Sequence, residues 1–132
     1  MPGRDESGAT IKPYVLDVDI PAYRAVVVGS AEDHCTLPGG ANADDFLGYT
    51  LQDGLAGETR PIHLSGGIAL ATAGGAIAVG KKVNIAGATG KVAAAAPAQG
   101  VNNHIVGRAL RAAAADGDVI PVLPIHETMQ GA

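Results

Sequence analysis

Short runs of hydrophobic and β-branched residues alternate with glycine-containing turns along most of this chain. Residues 46–51, for example, end at Asp53-Gly54, which is a strong turn dipeptide. Many short runs at nearly regular spacing, each closed by a turn, predict the strands of a β-sandwich or β-barrel. The predicted strands from residue 23 onward are residues 23–28, 46–51, 60–64, 68–72, 76–79, 83–85, 91–95, 104–110 and 118–125.

The first 20 residues have a different pattern. Residues 1–9 are polar and contain glycine, which is typical of a segment that is disordered in the free protein. Residues 10–20 alternate with a period of two and are bracketed by Pro13 and Pro21, which suits an edge strand or an extended arm. We therefore predict an arm over residues 1–20 that adds a strand to a partner, a β-domain over residues 21–127 and a tail over residues 128–132. The arm residues predicted to contact the partner are Ile11, Tyr14, Val15, Leu16, Val18 and Ile20.

Two alanine runs, residues 93–96 and 112–115, compete with the all-β interpretation because alanine is the best helix former. The second run continues a stretch that could form about three helical turns, although Gly107 weakens its start by about 1 kcal/mol relative to alanine. We favour a strand to Leu110 followed by a loop or one helical turn, and the conformation of residues 112–115 stays open. The predicted fold class is therefore all-β, a small barrel or sandwich with an extended N-terminal arm and at most one short helix.

Composition limits the size of the core and the classes of partner. The 132 residues include no Trp, one Phe and three Tyr, whereas each large aromatic side chain would bury about 150–250 Å². A core of Val, Ile, Leu and Ala is thin, and a second subunit often completes such a core. The net charge of −4 provides no basic footprint for nucleic acid. No apolar stretch is long enough to span a bilayer, and the single Cys35 excludes an internal disulfide.

One segment approaches a phosphate-binding loop. Gly75, Gly80 and Lys81 stand at the required spacing, but Lys82 occupies the position of the hydroxyl that should hold magnesium. The flanking residues have the pattern of strand, turn and strand rather than of strand, loop and helix. We therefore do not expect nucleotide binding.

Catalytic and metal-ligating residue types are scattered. A zinc site needs three or four convergent ligands, whereas the histidines are at least 22 residues apart. His63 and Ser65 would share a strand face, and Asp44 and Asp45 pair two carboxylates, yet neither set lies in a catalytic pattern. We predict no enzyme activity, no cofactor and no metal site, so a hydrolase built on these groups is a minor alternative. The four histidines are His34, His63, His104 and His126.

The order of these runs and turns resembles a family of phage capsid cement proteins. Residues 46–54 and 56–67 carry the first part of the resemblance, and residues 73–83 with the turn at Gly90-Lys91 carry the second. The best match is the closing pair, Ile-Val-Gly-Arg-Ala-Leu and then Ala-Asp-Gly-Asp-Val-Ile-Pro-Val-Leu. The resemblance covers residues 23–125.

This resemblance implies a compact β-barrel that trimerises and decorates the outer surface of a phage capsid, after synthesis in the host cytoplasm. The implied partners are the major capsid protein and sister subunits, without direct contact to nucleic acid or membrane. The arm would add a strand to the shell, with backbone hydrogen bonds supplying affinity, and three arms per trimer would supply avidity. We expect removal of residues 1–20 to abolish capsid binding.

The alternative function is that of a lipoyl-type carrier or another small-ligand-binding β-barrel. Such carriers are modified on a lysine at a hairpin tip, and Lys91, directly after Thr89-Gly90, is the lysine that fits. Its neighbours lack the acidic or methionine residues that such carriers show. An intact mass equal to that of the unmodified chain would exclude this alternative.

Overall fold

The computed structural model describes residues 8–96 and 102–130, which form ten strands and no helix. Five strands close a barrel in the order β1-β3-β2-β4-β5, and five form a second sheet in the order β6-β10-β9-β7-β8. The predicted all-β barrel class is confirmed. The barrel strands are β1 Thr10–Leu16, β2 Ala25–Val28, β3 His34–Thr36, β4 Phe46–Thr50 and β5 Thr59–Ser65. The sheet strands are β6 Ala69–Thr72, β7 Lys82–Ile85, β8 Val92–Ala94, β9 Asn102–Ala109 and β10 Val119–Gln130.

The first strand closes the barrel. β1 pairs antiparallel with β5 along most of its length and parallel with β3 near its end. The barrel interior is apolar, because alternate residues of each strand point inward. Burial raises the pKa of the Cys35 thiol to about 11, so the thiol is protonated at neutral pH and packs as an apolar side chain. The fully enclosed residues of this core are Leu16, Ile20, Val26, Cys35 and Ile62.

A second core lies between the barrel and the sheet. Tyr49 on β4 joins the two layers, since its ring is fully buried and its hydroxyl donates a hydrogen bond of 2.7 Å to the Val106 carbonyl oxygen on β9. Burial also raises the pKa of the Tyr49 hydroxyl far above its ordinary value, which keeps it a donor. The sheet contributes small or branched side chains, which allow the two layers to approach closely. They include Ala69, Ala71, Val83, Ile85, Ala109, Ile120 and Val122.

Asp17 fastens the turn between β2 and β3 to the end of β1. Its carboxylate accepts hydrogen bonds from the backbone N–H and the hydroxyl of Ser30, at 2.7 and 3.1 Å. The hydrogen bond with His34 Nδ1, at 2.7 Å, holds the pKa of Asp17 below its ordinary value. This end of the barrel is therefore held by side chains as well as by strand pairing.

Two local predictions need correction, and the conformation left open for residues 112–115 is now defined. Residues 34–36 form β3, which the sequence pattern did not reveal, because a three-residue strand between β1 and β2 depends on its neighbours for pairing. Residues 76–79 form no strand, and within them Ile77 makes a single bridge to Ala113. Residues 112–115 form no helix. The Asp118 carboxylate instead accepts hydrogen bonds from the backbone of Ala114 and Ala115 and holds a turn there.

The predicted domain boundaries can be placed on this fold. The boundary after residue 20 separates β1 from β2, which are both strands of the barrel. The predicted tail begins within β10, which extends to Gln130. Residues 1–7, 97–101 and 131–132, and the predictions that fall on them, lie outside the described residues.

Candidate functional site

Exposed apolar side chains cover the outer face of the sheet along β6 and β10. Pro121 on β10 pairs with Leu70 on β6, and on its other side Leu110 donates its backbone N–H to the Pro121 carbonyl oxygen at 2.9 Å. Residues two positions apart on a strand share a face. Ile68 therefore lies on the same face as Leu70, and Val119 and Leu123 lie on the same face as Pro121. We call this group the apolar face: Ile68, Leu70, Leu110, Val119, Pro121 and Leu123.

The exposure of the apolar face is unusual for a sheet that faces water. Ile68 is 61% exposed, and Leu110 and Leu123 are 40% and 42% exposed. The solvated face of an antiparallel sheet ordinarily carries polar residues. A contiguous apolar patch on a protein surface marks a site of interaction with another molecule. The apolar face is therefore the candidate functional site of this protein.

Basic side chains border the apolar face on the β9 and β7 side. Arg108 pairs across the strands with Leu123 and with Lys82. Lys82 is neutralised by Glu127, whose carboxylate lies 2.7 Å from its Nζ atom. The Arg108 guanidinium instead donates a hydrogen bond of 3.0 Å to the Gly80 carbonyl oxygen and keeps its charge unpaired among the described residues.

A cleft of about 240 Å³ lies where the barrel meets the end of β10. This volume is below the roughly 300–1,000 Å³ of small-molecule sites. The His126 ring lies 4.7 Å from the Phe46 ring, and its Nε2 atom is 2.8 Å from the Leu64 carbonyl oxygen. The polar groups of the cleft thus tie the sheet to the barrel. We interpret it as a packing joint between the two layers.

The histidines lie in separate environments. His63 is buried, and its Nε2 atom lies 2.6 Å from the Gly66 carbonyl oxygen. His34 bonds to Asp17 and His104 to Thr128. Across residues 8–96 and 102–130, no three His, Cys, Asp or Glu side chains come close enough to hold a metal ion.

The two lysine motifs lie in turns. Residues 75–81 lie in the loop between β6 and β7, and Lys82 begins β7. A strand therefore follows the glycines where a phosphate-binding loop needs a helix. Lys91 lies directly before β8 and forms an ion pair of 2.9 Å with Asp116, which leaves its side chain 24% exposed. In the part of the chain that the structure describes, no helix is long and apolar enough to cross a membrane.

The six predicted arm residues fall into two groups. Leu16 and Ile20 are buried in the barrel core, at 1% exposure each. The other four keep exposed surface on or after β1, and Val18 is the most accessible at 40%. These four are Ile11, Tyr14, Val15 and Val18.

Sequence reasoning did not identify the apolar face. The signal was present in part, since Ile68 and Leu70 alternate with alanine, and Val119 and Leu123 alternate with buried residues. The sequence predicts both segments as strands. That they lie side by side depends on a pairing register between residues about 50 positions apart. The local sequence around each strand carries no signal for such a pairing register.

Comparisons with known proteins agree with the earlier resemblance. The sequence matches the phage cement protein family over residues 6–124. The crystal structure of the head fiber gp8.5 N base of bacteriophage phi29 has the same fold, with a TM-score of 0.66 and 14% identity over 92% of this chain and 98% of that chain. No curated protein matches the sequence significantly.

Proposed function

From the premise that this chain belongs to the phage cement protein family, we propose that it binds the outer surface of a phage head as a trimer and stabilises the shell. Membership of the family makes it a capsid-associated structural protein of a phage. The finer parts of the proposal are the trimer, the outer surface, the contact with the major capsid protein and the stabilisation.

The apolar face carries the self-association part of the proposal. Its side chains are exposed in a single chain, and water contact with them is unfavourable by about 25 cal/mol per Å². A second copy or a shell subunit that covers this face removes that cost. The core between the barrel and the sheet, in which alanine is frequent, also favours stabilisation by association.

Shell stabilisation follows from binding equilibria. A protein that binds the assembled shell, but not its separated subunits, stabilises the assembled state in proportion to the logarithm of its concentration relative to its Kd. A trimer that contacts several shell subunits at once gains avidity without any new type of contact. The function therefore requires recognition surfaces and no catalytic group.

Cryo-electron microscopy of undecorated capsids mixed with the purified chain tests the proposal directly. We expect trimeric density on the outer surface, and capsids that release their DNA at a higher temperature when decorated. Sedimentation of the protein alone gives its oligomeric state independently. Capsids that stay bare at micromolar protein concentration would refute the function.

The first prediction concerns the apolar face. Replacing Ile68 and Leu123 by glutamine should weaken self-association at least tenfold, because the contact loses two exposed apolar anchors. Sedimentation equilibrium measures this change. The unfolding temperature of the monomer should stay nearly constant, since both side chains face solvent.

A matched control is Val28→Gln. Val28 is 55% exposed and lies on β2, outside the apolar face. This variant should self-associate like the wild-type chain. Equal behaviour of all three proteins would show that the apolar face is not a contact surface.

The second prediction concerns the N-terminal arm, which we propose as a shell contact. Deleting residues 1–20 would also remove β1 from the barrel, so a smaller deletion is more informative. Removal of residues 1–7 leaves all ten strands in place. It should lower capsid occupancy severalfold, because β1 is already paired on both sides and the segment before it is the part of the arm left to pair with the shell. Occupancy is counted by electron microscopy at limiting protein concentration.

Two further measurements complete this test. The deletion should leave the unfolding temperature and the sedimentation of the free protein unchanged. Ile11→Ser tests the partly exposed side of β1 in the same assay. If both variants decorate capsids at full occupancy, the arm has no part in binding.

A further inference from the structure

Charge is distributed unequally between the two layers of the molecule. From residue 8 to residue 65 the chain carries eight carboxylates and three basic side chains. From residue 66 to residue 130 it carries five basic side chains and three carboxylates. The barrel is therefore acidic and the sheet is basic, although the whole chain is acidic.

The basic charge of the sheet lies beside the apolar face. Arg108 neighbours Leu123, and Arg111 directly follows Leu110. Lys81 lies close to the same end of β9, since its carbonyl oxygen accepts the backbone N–H of Ala109 at 2.8 Å. The ion pairs formed within residues 8–96 and 102–130 leave these three basic side chains out.

Two of the eight barrel carboxylates, Asp19 and Asp53, lie beside exposed apolar side chains at one end. There the loop after β1 and the loop after β4 are joined by two backbone hydrogen bonds of 2.9 Å between Ile20 and Gly54. Leu55 is 62% exposed, and Pro21 is exposed beside it in the joined loops. We call this region the acidic loop surface: Asp19, Pro21, Asp53 and Leu55.

The two carboxylates make the acidic loop surface rigid. Asp19 accepts the backbone N–H of Ala56 at 2.9 Å, and Asp53 accepts that of Ala22 at 2.7 Å. Each carboxylate thus crosses from one loop to the other. A surface that is already ordered loses little conformational entropy when a partner binds.

We propose that the apolar face of one subunit, with its basic border, docks on the acidic loop surface of the next subunit. The occupant of the apolar face is thus a second copy of this chain. The inference rests on the self-association in the proposed function and names the surfaces that meet.

Charge complementarity selects this arrangement over a face-to-face pair. If the apolar face met its own copy, the unpaired Lys81, Arg108 and Arg111 of both subunits would oppose one another, and juxtaposed like charges disfavour association. Docking on the acidic loop surface replaces that repulsion with attraction. Contacts between two different surfaces close into a ring when the rotation between neighbouring subunits is a whole fraction of a turn, and three subunits form the smallest such ring beyond a dimer.

Charge exchange tests the proposal. An acidic-face variant, Lys81→Glu with Arg111→Glu, changes two exposed side chains. A basic-loop variant combines Asp19→Asn and Asp53→Asn, which keep the acceptor oxygens that hold the loops, with Gln52→Lys and Ala56→Lys at exposed positions. We expect each variant to self-associate at least tenfold more weakly than the wild-type chain in sedimentation equilibrium at low salt. A chain with all six changes should recover trimers, because both signs are exchanged.

Other results would overturn the proposal. A basic-loop variant that trimerises normally would mean that the apolar face meets a different surface. In a second contradicting result, the chain with all six changes has the same unfolding temperature as the single-surface variants and still forms no trimers. That result would mean that charge does not pair these surfaces. Ala88→Glu with Thr89→Glu adds negative charge at an exposed turn outside both surfaces and should leave the trimer intact.

The same experiments separate this inference from the proposed function. If the wild-type chain trimerises and decorates capsids but charge exchange fails, the inference alone is wrong. If charge exchange succeeds and no variant or wild-type chain binds capsids, the proposed function is wrong and the pairing of surfaces stands. A wild-type chain that stays monomeric at all concentrations, alone and on the shell, overturns both the trimer and the pairing.

Discussion

Replacing Gly48 by alanine should destabilise the barrel by about 3 kcal/mol or more, which corresponds to a fall of roughly 10 °C in unfolding temperature. Gly48 lies on β4, and its Cα atom packs closely against the backbone of the paired strand β5. An added Cβ atom would collide with the His63 carbonyl oxygen and lie 2.9 Å from Ile62 Cγ2. Since the backbone of a neighbouring strand cannot rotate away, the two strands must separate. Chemical denaturation followed by circular dichroism measures the loss.

Gly75→Ala is the matched control. Gly75 lies in the loop before β7, its φ is not left-handed, and an added Cβ atom would meet no atom within 4 Å. This change should alter the free energy of unfolding by no more than about 0.5 kcal/mol. Both variants must be compared at one protein concentration, because association shifts apparent stability. Similar stabilities for the two variants would contradict the close approach of β4 and β5.

Truncating Tyr49 to alanine should cost about 3–5 kcal/mol, because a fully buried aromatic side chain leaves a cavity between the barrel and the sheet. Tyr49→Phe separates the hydrogen bond from the packing. It keeps the ring but leaves the Val106 carbonyl oxygen without its 2.7 Å donor, for which we expect a loss of about 1–3 kcal/mol. Thermal unfolding of the three proteins measures both terms.

Tyr23→Phe serves as the control for the hydroxyl. Tyr23 is only half-buried, and its hydroxyl makes no hydrogen bond of the kind that Tyr49 makes within the described residues. Its loss should change stability by less than about 0.5 kcal/mol. If Tyr49→Phe were equally neutral, the hydroxyl would not join the two layers.

The positions of most strands were predictable from the sequence because their ends are marked by glycine and aspartate. Residues 46–51 and 60–64, for instance, were placed within one residue of β4 and β5. The pattern failed at β3, because three residues are too few for a period to be recognised. It also failed at residues 76–79. These residues have strand-forming side chains, but only Ile77 among them forms a β-bridge with another segment.

The candidate functional site was less predictable than the fold. The alternation in residues 10–20, bracketed by Pro13 and Pro21, suits an edge strand or an extended arm. In the fold, Pro13 lies inside β1 opposite Pro61 of β5. Which strands a segment joins, and which of its faces stays exposed, depends on tertiary pairing that a single sequence does not encode locally. The sequence does not reveal the apolar face for the same reason, since β6 and β10 become neighbours only in the folded chain.

The closure of the barrel by β1 has a consequence for how the chain matures. Val15 reaches its antiparallel partner Thr59 only after more than forty further residues have been synthesised. Contacts between such distant residues form slowly, because a long loop must close before any pairing energy is gained. After synthesis, β1 thus waits without its main partner, and its apolar residues are open to aggregation or to chaperones until β5 leaves the ribosome.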